Sequence, residues 1–208
     1  MEDILVGNIL AVALFLVTLF ICVRAFYIYA QLRSPRLFTL GLAMGIIALT
    51  AAADFTSSNF PGLGLNTDWF LFIGQAVSWL FIWLSLLSHS DEYLHWLMRL
   101  QVLASLAVLC LLFLSPTLPD FSGTLLAILL SGSRFVICLL IGFSYLLTFL
   151  DKQTRFSLLM ALAFVLLGFG YLLIAEKFSV SNLMLFDNAG DILRLGGLLL
   201  LLAAMLVG

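Results

Sequence analysis

Charge is what this chain has least of. Only 10% of its 208 residues are Asp, Glu, Lys or Arg, whereas a soluble domain carries about 25%. So little charge excludes an ordinary cytosolic enzyme and a disordered chain. Nine Lys+Arg stand against eleven Asp+Glu, a net charge of −2. No basic face exists to hold a phosphate backbone, which excludes nucleic acid as a partner. Proline is scarce as well. Pro35, Pro61, Pro116 and Pro119 all fall between the apolar runs, and unbroken runs disfavour a small solute transporter, whose spans are typically interrupted. The three cysteines, Cys22, Cys110 and Cys138, form no C-x-x-C or Cys/His cluster and sit inside apolar runs, where small packing residues are expected.

Other absences narrow the chemistry. Lys152 and Lys177 both lie in connections, so no lysine is placed deep enough for a retinal Schiff base. No histidine lies within an apolar run, which argues against haem ligated by two histidines. His89 and His95 share a turn with Asp91 and Glu92, but their spacing is not the i, i+4 pair of a helical metal site, and no metal is expected. There is no G-x-S-x-G, no H-E-x-x-H and no pair of intramembrane aspartates placed for proteolysis. The chain reads as a non-enzyme with no catalytic residue and no cofactor.

What it has in abundance is apolar sequence: 64% of residues are hydrophobic and the mean hydropathy is +1.23. A membrane span needs about 20 mostly apolar residues, because the hydrocarbon core is about 30 Å thick and a helix rises about 1.5 Å per residue. Seven runs qualify: Ile4–Tyr29, Leu37–Ala53, Trp69–Ser88, Trp96–Ser115, Thr124–Leu150, Phe156–Ala175 and Leu185–Val207. None alternates as a barrel strand would, so all are expected to be helices. The fold class is an all-α membrane protein, a seven-transmembrane-helix bundle forming a single integral membrane domain over residues 1–208. The acidic start Met1-Glu2-Asp3 and the long first run do not resemble a cleavable signal, so the first segment is expected to stay as a helix.

The connections alternate in chemistry. Arg33-Ser34-Pro35-Arg36, His89 to His95, and Asp151 to Arg155 are short and charged, whereas Thr56 to Thr67, Pro116 to Gly123 and Lys177 to Phe186 are longer and richer in Gly, Pro, Ser and Asn. Six of the nine basic residues, Arg24, Arg33, Arg36, Arg99, Lys152 and Arg155, fall at the first set of ends. The positive-inside rule then places those ends in the cytoplasm, the N-terminus outside and the C-terminus inside.

Polar groups inside such runs are the informative residues, because a charge at the centre of a span costs several kcal/mol unless paired or wetted. Arg134 lies near the middle of the fifth run, in Leu130-Ser-Gly-Ser-Arg134-Phe. Asp187, Asp191 and Arg194 share one face of the seventh by i, i+4 and i+3 spacing. Asp54 closes the second run, and Gln75 is followed on its own face by Trp79 and Trp83. All lie in the outer half of the layer. They are read as one outward-opening polar-aromatic pocket with Asp54 and Asp191 at its rim, Arg134, Arg194 and Gln75 inside, and Trp79 in its floor. The competing expectation is an ion-pair lattice that fixes helix register, with Arg134 bonded to Asp54 or Asp191. Close packing is expected at Gly41-Leu-Ala-Met-Gly45, Gly168/Gly170 and Gly196/Gly197.

The residues Tyr27-Ile-Tyr29, Ser34-Pro-Arg36-Leu-Phe-Thr-Leu-Gly41 and Asp191-Ile-Leu-Arg194-Leu-Gly196-Gly197, set in this seven-run layout, resemble the seven-helix sensing modules at the N-termini of prokaryotic signalling proteins. The resemblance implies a receptor-like protein of a prokaryotic cytoplasmic membrane, with a small-molecule ligand entering from the outer side. Such modules feed an output domain from the last helix. The sequence stops at Gly208, so the signal is expected to leave through a membrane protein partner. The alternative is an accessory or scaffold subunit of a multi-subunit membrane complex, with polar helix faces binding neighbouring chains.

Overall fold

The computed structural model describes residues 2–60, 66–87, 90–118, 124–176 and 183–207. Among these the chain forms seven α-helices and no strand: α1 (Glu2–Leu32), α2 (Pro35–Asn59), α3 (Asp68–Leu87), α4 (Asp91–Leu114), α5 (Thr124–Lys152), α6 (Arg155–Glu176) and α7 (Leu183–Val207). A short 3-10 turn, Ser115–Thr117, follows α4. Each of the seven helices is long and apolar enough to cross a membrane. Pro61, Ser88, His89, Pro119 and Lys177 lie outside the described residues.

Several helices run past the apolar segments that announce them. The end of α2 is the clearest case: it continues beyond Ala53 to Asn59. Thr56 Oγ1 donates to the Ala52 carbonyl at 2.7 Å, Ser57 Oγ to Asp54 at 3.0 Å, and Asn59 Nδ2 to Phe55 at 2.8 Å. Each side-chain donor therefore adds a bond to a carbonyl one turn back along the same helix. At α4 the stretch expected to be a turn is the first turn of the helix. Asp91 and Glu92 sit there, where the positive end of the helix dipole favours carboxylates.

Two connections are only two residues long and share one geometry. Arg33 has φ 54° and Gln153 has φ 49°. Each donates its N–H back to a carbonyl four residues earlier, Tyr29 and Phe149 respectively, both at 2.7 Å. A left-handed residue ends each helix, and a residue suited to starting the next follows at once. Ser34 is extended ahead of Pro35, whose missing N–H costs nothing at the first helical position. Thr154 Oγ1 accepts the Ser157 N–H at 3.3 Å.

The described residues form two compact units: the N-terminal part of α1 with α5–α7, and the remainder of α1 with α2–α4. In the second unit Ile46, Ala53, Phe70 and Val108 make an apolar core flanked by Leu49, Ile73 and Leu112. Two glutamines tie α3 and α4 to α2 within this unit. Gln75 Nε2 donates to Thr50 Oγ1 at 3.1 Å, and that hydroxyl donates to the Ile47 carbonyl at 2.7 Å. Gln101 Nε2 donates to the Thr39 carbonyl at 3.0 Å. Gly41 faces the Phe26 ring and Gly45 the Cys22 sulfur, with a built Cβ meeting each at 3.3 Å. The Gly41/Gly45 pair thus serves packing between α1 and α2.

In the first unit α6 and α7 approach backbone to backbone. A Cβ on Gly170 would lie 2.8 Å from the Gly190 carbonyl, one on Gly190 2.9 Å from the Gly170 carbonyl, and one on Gly197 2.8 Å from the Ala163 carbonyl. Gly196, by contrast, faces open space. Of the three cysteines, Cys138 is buried, Cys22 half-buried and Cys110 exposed, so the expectation of buried packing holds fully only for Cys138. Large apolar side chains stand outward along the helices, Phe113 and Leu125 among the most exposed. Water does not favour such surfaces; hydrocarbon does.

Candidate functional site

Arg134 is 1% exposed, on a face of α5 that also buries Ser131 and Cys138. A long side chain on a helix leans toward the N-terminal turn, and Arg134 does so. Its Nη2 donates to Ser131 Oγ at 2.8 Å and its Nε to the Leu130 carbonyl at 3.3 Å. The head therefore curls back one turn along its own helix. Its guanidinium carbon lies over the Tyr171 ring, 4.7 Å from the centroid.

Tyr171 is itself buried, at 1% exposure on α6, and carries a second cation. The Arg194 guanidinium carbon lies 4.8 Å from the same centroid. Gly170 is what admits it, because a Cβ there would lie 2.7 Å from Arg194 Cγ. With no side chain at Gly170, the arginine stem lies against α6 and its head reaches the next residue's ring. Arg194 Nη1 also donates to Asp191 Oδ1 at 2.7 Å, a partly buried pair one turn apart on α7.

The two guanidinium carbons can be no farther apart than the sum of their distances to the shared ring. At that separation, like charges repel by about 2 kcal/mol at an effective dielectric of about 20. Each cation–π contact returns about 2 kcal/mol when desolvated, and hydrogen bonds to a charged group about 1.5–3 kcal/mol. The ring, the Ser131 hydroxyl and the Asp191 carboxylate therefore balance a positive cluster inside an otherwise apolar unit. Chemically the cluster offers planar, permanently charged donors, suited to carboxylate- or phosphate-like oxygens. It holds no nucleophile paired with a base.

The six residues singled out in the sequence fall into both compact units. Arg134, Arg194 and Asp191 belong to the α5–α7 unit and are brought together around Tyr171. Asp54, Gln75 and Trp79 belong to the α2–α4 unit. There Gln75, 2% exposed, acts as a strut onto Thr50. Trp79 is wholly buried as packing, and Asp54 is exposed in the last part of α2. Sequence reasoning missed Tyr171 and Ser131. A signal for Tyr171 was present: of the five tyrosines, it alone lies in the same half of the layer as Arg134. Comparison with protein-family models, with curated proteins and with solved structures found no match to this chain.

Proposed function

We propose that this chain is a receptor-like, non-catalytic integral membrane protein whose ligand site is the Arg134–Tyr171–Arg194 cluster, and that the ligand is an anion. One observation carries the proposal: two guanidiniums share one buried tyrosine ring. An anion reaching both would gain charge-assisted hydrogen bonds and relieve the repulsion between them. Gln75 and Trp79 already have structural roles, so ligand binding is assigned to Arg134 and Arg194, with Asp191 orienting the latter. A signal would pass to a partner in the same membrane.

The test compares unfolding midpoints of the purified protein in sodium chloride, sulfate, phosphate and acetate at equal ionic strength. At least one anion should raise the wild-type midpoint and leave Arg134→Gln and Arg194→Gln unmoved. A ligand at a hundred times its Kd stabilises by about 2.7 kcal/mol. Equal responses in all three proteins, or no response to any of these anions, would overturn the proposal.

The same proposal takes the N-terminus as outside and the C-terminus as cytoplasmic, on the distribution of Lys and Arg. Asn59 and Gln153 are both exposed, which makes them suitable reporters. In a variant lacking Cys22, Cys110 and Cys138, Asn59→Cys should react with an impermeant maleimide added to intact cells, and Gln153→Cys should not. The reverse pattern would turn the arginine cluster toward the cytoplasm.

A further inference from the structure

The α2–α4 unit contains a polar group that its own fold leaves unsatisfied. Gln101 is 2% exposed, and its Oε1 is buried with no hydrogen-bond partner. The amide orientation is not interchangeable. Nε2 donates to the Thr39 carbonyl at 3.0 Å, and a carbonyl can only accept, so Oε1 must point elsewhere. Gln101 lines a narrow crevice together with Ser78 and Ser105, walled by Val77, Phe81 and Val108. The crevice is a slot rather than a chamber, with no room for a free water.

We propose that this slot is the closed form of a site for a small neutral alcohol, whose hydroxyl donates to Gln101 Oε1. The donor must be neutral: no charged side chain lines the slot, and an unpaired charge is costly in such walls. It must donate, because an amide oxygen only accepts. A hydroxyl also accepts, and Ser105, one turn from Gln101 on α4, offers the donor for that second bond. Ser78 Oγ already donates to the Gly74 carbonyl at 2.7 Å, and keeps lone pairs that can only accept. The walls suit a short alkyl chain. Gln101 lies about 15 Å along α4 from Asp91 at about 1.5 Å per residue, so the ligand would reach it from within the apolar layer. Entry requires α4 to give way, and α4 exposes Leu100, Val102, Leu103 and Leu106 on its outer side.

The experiment uses the full chain in an amine-oxide detergent, which carries no hydroxyl. Two isomeric probes are compared, 1-hexanol and methyl pentyl ether, equal in atoms but different in having a donor. The wild-type unfolding midpoint should be several degrees higher with the alcohol than with the ether. Gln101→Leu removes the acceptor. Ser105→Leu fills the slot and leaves the bond to Thr39 in place. The difference between probes should vanish in both variants. Equal midpoints with the two probes in the wild type, or a difference that survives either variant, would overturn the proposal.

Discussion

Alanine at Gly197 should destabilise the protein by about 1–3 kcal/mol, the cost of forcing one extra carbon into a packed interior. Alanine at Gly196, the adjacent residue, should be neutral or stabilising by up to about 1 kcal/mol. The two positions differ in what a Cβ would meet. At Gly197 it would lie 2.8 Å from the Ala163 carbonyl, 2.8 Å from Leu167 Cγ and 3.0 Å from the Leu167 nitrogen. Two of these three atoms are backbone of α6, so no rotamer change relieves the clash and the helices must separate. At Gly196 nothing lies within 4 Å, and replacing glycine by alanine favours a helix by about 1 kcal/mol. Leucine at Gly197 should prevent native packing of α6 on α7 altogether. Denaturant or thermal unfolding of the purified variants measures the contrast. Identical behaviour at Gly196 and Gly197 would mean that α6 and α7 do not meet as described.

Removing the ring that the two arginines share should be more damaging still. Tyr171→Ala empties a wholly buried position, which costs about 3–5 kcal/mol for a large aromatic. It also leaves Arg134 and Arg194 without the π face that each uses. Tyr171→Phe keeps the ring and loses only the hydroxyl, which is hydrogen-bonded to Arg194, so its cost should be about 1.5–3 kcal/mol, the worth of one hydrogen bond to a charged group. Unfolding midpoints of the two variants separate the contributions of ring and hydroxyl. A phenylalanine variant as unstable as the alanine variant would shift the role of Tyr171 from its face to its oxygen.

Most of the helical layout was legible because lipid imposes a simple requirement. A span must be long, apolar and internally hydrogen-bonded, and that condition shows in any window of sequence. The ends were less legible. Thr56, Ser57 and Asn59 read as loop residues by composition, yet their side chains bond to carbonyls in the last turns of α2. Arg134 and Arg194 stood out because charge in an apolar run is rare. Tyr171 did not stand out, because a tyrosine among phenylalanines and leucines looks like packing until two cations are found over it. Gln101 was hidden for a similar reason. A single amide in α4 carries no pattern, and only the buried carbonyl of Thr39 gives its orientation meaning. Gly170 and Gly190 lie on different helices, far apart in the chain, so their pairing depends on a register that no local window contains.

Arg33 with Ser34, and Gln153 with Thr154, are all that joins α1 to α2 and α5 to α6. The three Cα steps from Leu32 to Pro35, and from Lys152 to Arg155, extend to at most about 11 Å, little more than the roughly 8–10 Å between the axes of two packed helices. During synthesis, then, neither α2 nor α6 chooses its first neighbour. Each must fold back along the helix just made, and the two form a hairpin. The three-residue connection before α4 acts almost as tightly, whereas the longer connections before α3, α5 and α7 impose no such pairing. Connectivity thus ties α1 to α2 and α5 to α6 most tightly, with α3 and α4 next.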